Sequence, residues 1–101
     1  MKLIMESRLH KKIAIKIAKI KNTEYHGDKG VDIRTKTQAI EVEVNPDAFG
    51  HAKKQLAGSA ATPYILVSNN LIKPALEVTK GTRFGVMNQS ARIIKRGIKK
   101  P

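Results

Sequence analysis

Val31-Asp32-Ile33-Arg34-Thr35-Lys36-Thr37-Gln38-Ala39-Ile40-Glu41-Val42-Glu43-Val44 is the stretch on which the fold turns. Val31–Thr35 alternates apolar and polar side chains, and Ile40–Val44 does the same. A period of two marks strands with one buried face. Lys36-Thr37 lies between them, so the two strands form an antiparallel hairpin. A two- or four-residue loop sets Thr35 opposite Gln38, Ile33 opposite Ile40 and Val31 opposite Val42. All four apolar residues then share one side. A slip of one residue would mix them with Glu41 and Glu43, so the alternation excludes it. Lys-Thr is not a favoured two-residue turn, yet the parity holds for either loop length.

The same register sets Asp32 opposite Glu41, with Glu43 next along that face. Like charges opposed across strands destabilise a hairpin. The chain of 101 residues carries 20 Lys+Arg against 8 Asp+Glu, a net charge of +12, and still groups three carboxylates. The acids crowd between Glu24 and Asp47, whereas both ends are basic: Lys2, Arg8, Lys11, Lys12, Lys16, Lys19 and Lys21 at one, Lys80, Arg83, Arg92, Lys95, Arg96, Lys99 and Lys100 at the other. A basic body with one acidic focus suits a polyanion binder that also holds a cation. From the hairpin alone two readings stand. Either a divalent cation relieves the repulsion, since hard cations take carboxylate oxygens, or the face is solvated and pairs with Arg34 or Lys36, where the clash costs only about a few tenths of a kcal/mol.

Working outward, Leu9, Ile13, Ile17 and Ile20 recur at helical spacing, with Lys12, Lys16 and Lys19 on another side. The spacing predicts a first helix over 3–21. Lys21–Tyr25 is expected as a short first strand, and Tyr25–Gly30 is turn-rich. Asn45-Pro46-Asp47 ends the hairpin and opens a helix with Asp47 near its N-cap, an inner face of Ala48, Phe49, Ala52, Leu56 and Ala57, and Gly58 at its close. Pro63–Val67 is a continuous apolar run, typical of a strand covered on both sides. Pro74 suits the first turn of another helix that Gly81 ends. Arg83–Met87 reads as a last strand, Asn88 as the cap of a final helix, and 96–101 as a loose basic tail. The whole is a single α/β domain, 1–101, with a mixed sheet flanked by helices and a C-terminal αβα extension.

The chain has no Cys, which removes disulfides, thiol chemistry and Cys-based zinc sites. No apolar run approaches the roughly 18 residues of a membrane span, and Met1–Glu6 lacks a signal-peptide core. A cytoplasmic protein without membrane or small-molecule cofactor is expected. His10, His26 and His51 are not at zinc-ligand spacing and are expected at the surface or on phosphate. With only 4% aromatic residues the chain lacks a base-stacking platform, so phosphate contacts should dominate binding.

A helix carrying Glu6, then Gly30-Val31-Asp32-Ile33, a hairpin, Ile40-Glu41-Val42-Glu43-Val44, a helix with Gln55 and the apolar strand Tyr64–Val67 resembles the PD-(D/E)XK nuclease superfamily, of restriction-endonuclease-like fold and including Holliday-junction resolvases. The resemblance covers about residues 6–67 and implies an αβββαβ core. It implies that Asp32 and Glu41 bind Mg²⁺, with Mn²⁺ as a substitute. Glu43 stands where the family usually has Lys, in a Glu-x-Glu variant in which the second Glu serves as base or further ligand. Glu6 matches a helix Glu of many members, and Gln55 a helix Gln of the resolvase-like branch. The implied activity is metal-dependent DNA hydrolysis on a branched or restriction-like substrate. Lys53 or Lys54 would touch phosphate in place of the missing Lys, alongside Arg34, Lys36 and His10. One site cuts one strand, so a homodimer is expected, with the apolar residues of 70–94 as candidate interface. Two other readings compete: a catalytically silent DNA-binding protein of the same fold, suggested by Glu43, and a small RNA-binding protein, suggested by charge and size.

Overall fold

A computed structural model describes residues 8–25 and 31–99. Helix α1 (Arg8–Ile20) leads into β1 (Ile33–Arg34) and β2 (Gln38–Glu43). A 3-10 turn (Pro46–Ala48) and α2 (Phe49–Ala57) cross to β3 (Thr62–Val67). A second 3-10 turn (Asn69–Leu71) and α3 (Ile72–Thr79) cross to β4 (Gly85–Met87), and β5 (Ile93–Lys95) closes the chain. The sheet is five-stranded in sequence order, with β2, β3 and β4 mutually parallel and β1 and β5 antiparallel at the edges.

Alternation along the strands sorts the core into two layers. Ile40, Val42, Tyr64, Leu66 and Met87 pack against Ile13, Ala14, Ile17 and Ala18 of α1. Ala39, Ile65, Val67 and Val86 pack against Phe49, Ala52 and Leu56 of α2, Leu71 of the second 3-10 turn and Ala75 of α3. Tyr64–Val67 is buried on both sides, as its unbroken apolar run predicts. Asn45, rather than Asp47, caps the turn before α2: its side chain accepts the Asp47 N–H at 2.9 Å.

The hairpin register is the one the alternation predicts, Ile33 opposite Ile40 and Arg34 opposite Ala39. The Thr35 N–H donates to the Gln38 carbonyl at 2.9 Å, and the Thr35 hydroxyl accepts the N–H groups of Thr37 and Gln38. Thr35 thus compensates for an unfavourable Lys-Thr turn. One apolar residue departs from the expected side. The chain bends at Asp32, and Val31 packs with α2 and α3 while Ile33, Ile40 and Val42 pack with α1.

Four expectations are corrected. The α1 stripe lies at Ile13, Ala14, Ile17 and Ala18, leaving Leu9 and Ile20 exposed at 48% and 54%. Small alanines let the helix approach the sheet more closely than the expected stripe allows. Lys21–Tyr25 is a turn, and only Tyr25 bridges to Ile33. The final helix expected from Asn88 is a β-turn and strand, so the C-terminal extension is α3-β4-β5. The Asn88 side chain accepts N–H groups from Ser90 and Arg92, and Ala91 takes φ 66°, which turns the chain back along β4. The tail is not loose through residue 99. The Ile98 N–H donates to the Arg83 carbonyl at 2.8 Å, and Gly97 lies so close to Pro63 that an added Cβ would sit 2.6 Å from its carbonyl oxygen.

Candidate active site

Asp32, Glu41 and Glu43 are brought together where β1 begins and β2 ends. They are 8%, 3% and 7% exposed, which excludes the solvated outer face. Glu41 and Glu43 alternate with Ile40 and Val42, and so stand on the α2–α3 face of β2 beside Ile65 and Val67 of β3. Asp32 is fixed by reciprocal bonds. Its carboxylate accepts the Val42 N–H at 2.9 Å, and its own N–H donates to Glu41 Oε2 at 3.2 Å. The bend at Asp32 therefore substitutes side-chain bonds for ladder bonds, which is why β1 is only two residues long.

Burial pushes the Glu41 carboxyl up to about 8. The charges of Asp32 and Glu43 push the same way, and the hydrogen bond from the Asp32 N–H opposes them. Two charges this close and this dry are costly without a cation or a proton between them.

His10, on the inner side of α1, places Nε2 3.4 Å from Asp32 Oδ2 and stacks at a tilt on Tyr25 with ring centroids 6.2 Å apart. It is not the surface residue that spacing suggests. The signal was present in the sequence: His10 leads the helical row that continues through Ile13 and Ile17. Glu6 and His26 lie outside the described residues.

The other predicted residues separate from the carboxylates. Gln55 is half-buried at the rim of α2, with Nε2 3.5 Å from His51 Nε2. It lines a groove of about 350 Å³ with Val31, Arg34, Gly58, Ser59 and Ala60. A neighbouring groove of about 470 Å³ shares Ser59 and Ala60 and adds Lys36, Thr37 and Lys99. Arg34 and Lys36 thus line two neighbouring grooves, the first of which includes Val31, the residue before Asp32. Lys99 joins them, unnoticed in sequence because the tail reads as loose. Lys53 is turned away, its Nζ 3.4 Å from the Val78 carbonyl, and Lys54 is exposed. The apolar residues proposed as an interface mostly serve the chain's own core: Leu71, Ala75, Phe84, Val86 and Met87 are buried.

Among the described residues no group of three His, Asp or Glu side chains is already arranged around a metal position. The chemistry of the donor set nevertheless fits a hard divalent ion. Mg²⁺ keeps several waters and is held by one or two carboxylates together with substrate phosphates. Asp32 and Glu41 each use an oxygen on a backbone N–H, which fixes their orientation, and they share a side-chain hydrogen bond whose place an ion would take. Among the described residues no helix is long and apolar enough to cross a membrane. Comparison of the chain with known protein families, with curated proteins and with solved structures finds no match.

Proposed function

We propose that the chain is a Mg²⁺-dependent endonuclease that hydrolyses DNA phosphodiester bonds, built on a restriction-endonuclease-like plan and working as a homodimer. The observation that supports this best is the buried Asp32–Glu41 pair, each carboxylate held on a backbone N–H, in a chain of net charge +12. Repulsion and dehydration in such a pair oppose folding, and its two bonds to backbone N–H groups offset only part of that cost, which points to a role beyond stability. The element order supports it in part: a helix, an acidic hairpin, a crossover helix and a parallel apolar strand follow one another, without the additional strand of an αβββαβ core expected at Lys21–Tyr25.

Asp32 and Glu41 would hold the ion, which supplies charge neutralisation at the scissile phosphate and a more acidic bound water. His10 acts behind them, holding the Asp32 carboxylate in place. Glu43 stands on the same face as Glu41 and takes the proton of the attacking water as general base. Arg34, Lys36 and Lys99 along the two neighbouring grooves neutralise the flanking phosphates. Gln55 lines the first groove and positions the strand there.

The test is incubation of the protein with supercoiled plasmid and with a branched DNA, in Mg²⁺, Mn²⁺ or EDTA, beside Asp32→Ala. Cutting that requires metal and disappears in the variant is expected. DNA retention by both proteins without cutting in any metal would select the silent binding protein that Glu43 also suggests. A strong preference for RNA at equal salt would favour the RNA-binding alternative.

A further inference from the structure

We infer that the outer face of α1 is a second nucleic-acid contact, a row of cations that follows the phosphate backbone of a DNA duplex. Arg8, Lys12, Lys16 and Lys19 are all exposed and fall within about 80° of arc at about 100° per residue. Successive members are about 4.5–6 Å apart along the axis, at 1.5 Å rise per residue. The helix contains no acidic residue that could neutralise them. Like charges three and four residues apart weaken a helix, so the row opposes the folding of the element that carries it. A point anion would satisfy one or two of these side chains. An extended row matches an extended polyanion.

The opposite side of α1 decides between a nucleic acid and a membrane. A helix that lies on a bilayer sinks its apolar face into it. In α1 that face is Ile13, Ala14, Ile17 and Ala18, already buried against the sheet. Of the exposed apolar residues, Leu9 and Ile20 lie on one edge of the cations, about 16 Å apart along the axis, and Ile15 lies on the other edge, so they form no broad apolar face. Charge complementarity with DNA is left as the interaction this face offers. The row sits on the sheet face opposite α2 and α3, so it is separate from the grooves of Arg34, Lys36 and Lys99. His10, in the same helix, connects the row to Asp32. The inference rests on DNA being the substrate but not on its hydrolysis.

The experiment is fluorescence anisotropy of a labelled DNA duplex with the full chain in EDTA, across a salt series. The variants are Lys12→Gln/Lys16→Gln/Lys19→Gln and a charge-matched control, Lys73→Gln/Lys80→Gln/Arg96→Gln, taken from exposed positions outside α1. Gln is nearly as good a helix former as Lys, and circular dichroism checks that the fold is retained. If the row tracks phosphates, the slope of log K against log salt becomes shallower by about 2–3 in the α1 variant, and by less than about 1 in the control. Equal changes in both variants would reduce the effect to net charge and overturn the inference, as would an unchanged slope in the α1 variant. Tight binding of the wild type to anionic phospholipid vesicles, lost with Leu9→Ser/Ile20→Ser while the DNA slope stays unchanged in the α1 variant, would overturn it in favour of a membrane. Absence of cutting in Mg²⁺ with the expected slopes in EDTA would remove the nuclease and leave the DNA contact.

Discussion

Replacing Glu41 by Gln removes one negative charge from a buried pair while keeping an oxygen that accepts the Asp32 N–H. The folded Glu41 carboxyl titrates near about 8, against a reference of 4.5. Between these values the folded chain holds a proton that the unfolded chain has released. Stability is therefore highest below the unfolded value and falls as pH rises through the window to about 8. At about 1.4 kcal/mol per pH unit the gap corresponds to a few kcal/mol. Each ~1 kcal/mol moves the Tm of a domain this size by roughly 4–8 °C. The Gln variant does not titrate, so it should melt on the order of 10 °C above the wild type at pH 8 and close to it near pH 4.5. Differential scanning calorimetry across that range, in EDTA, reads the difference directly. A wild-type-minus-variant gap that is constant with pH, or a variant less stable at pH 8, would refute the account of Glu41 as a dehydrated carboxyl among like charges.

Gly85→Ala should destabilise by about 1–3 kcal/mol, measured by urea unfolding, because a Cβ there would stand 2.5 Å from Gly97 N and 2.6 Å from Lys95 O, backbone atoms that cannot move aside. Lys95→Met should cost about 1–3 kcal/mol in the same assay: Nζ donates to the carbonyls of Thr79 and Phe84 at 2.7 Å and approaches Thr82 O at 3.3 Å, closing the end of α3. Burial lowers the Lys95 pKa, so the folded chain gives up this proton before the unfolded chain does, and the wild type should gain stability relative to the Met variant as pH rises through that alkaline window. Asn88→Ala should loosen the β4–β5 turn and cost about 1 kcal/mol, with faster amide exchange at Ser90 and Arg92, whose N–H groups Asn88 accepts.

The hairpin was legible because its alternation is strict and one face is buried: Ile33 and Ile40 fix the register, and the register fixes which carboxylates meet. β3 was legible from its continuous apolar run, and the two crossovers from capping residues and glycines around α2 and α3. What the sequence concealed depends on side chains that replace backbone bonds. The carboxylate of Asp32 takes the Val42 N–H, which shortens β1 and swings Val31 to the other layer. Asn88 looks like a helix cap, since the side-chain oxygen that caps a helix also closes a turn. Only the pairing of Ile93 and Lys95 with β4 decides between them, and that pairing is non-local. His10 was displaced from its expected place for a related reason. The alanines of α1 rotate the buried stripe away from Leu9 and Ile20, and the rotation carries His10 inward to Asp32.

The central claim is that Asp32 and Glu41 together form a divalent-cation site, and Mn²⁺ titration followed by the loss of its free-ion paramagnetic resonance signal tests it without depending on DNA. Binding by the wild type that strengthens as pH rises, and that is lost in both Asp32→Asn and Glu41→Gln with each variant still folded, is the predicted result. Mn²⁺ bound equally by the wild type and both variants, or by none of them at any pH, would contradict it.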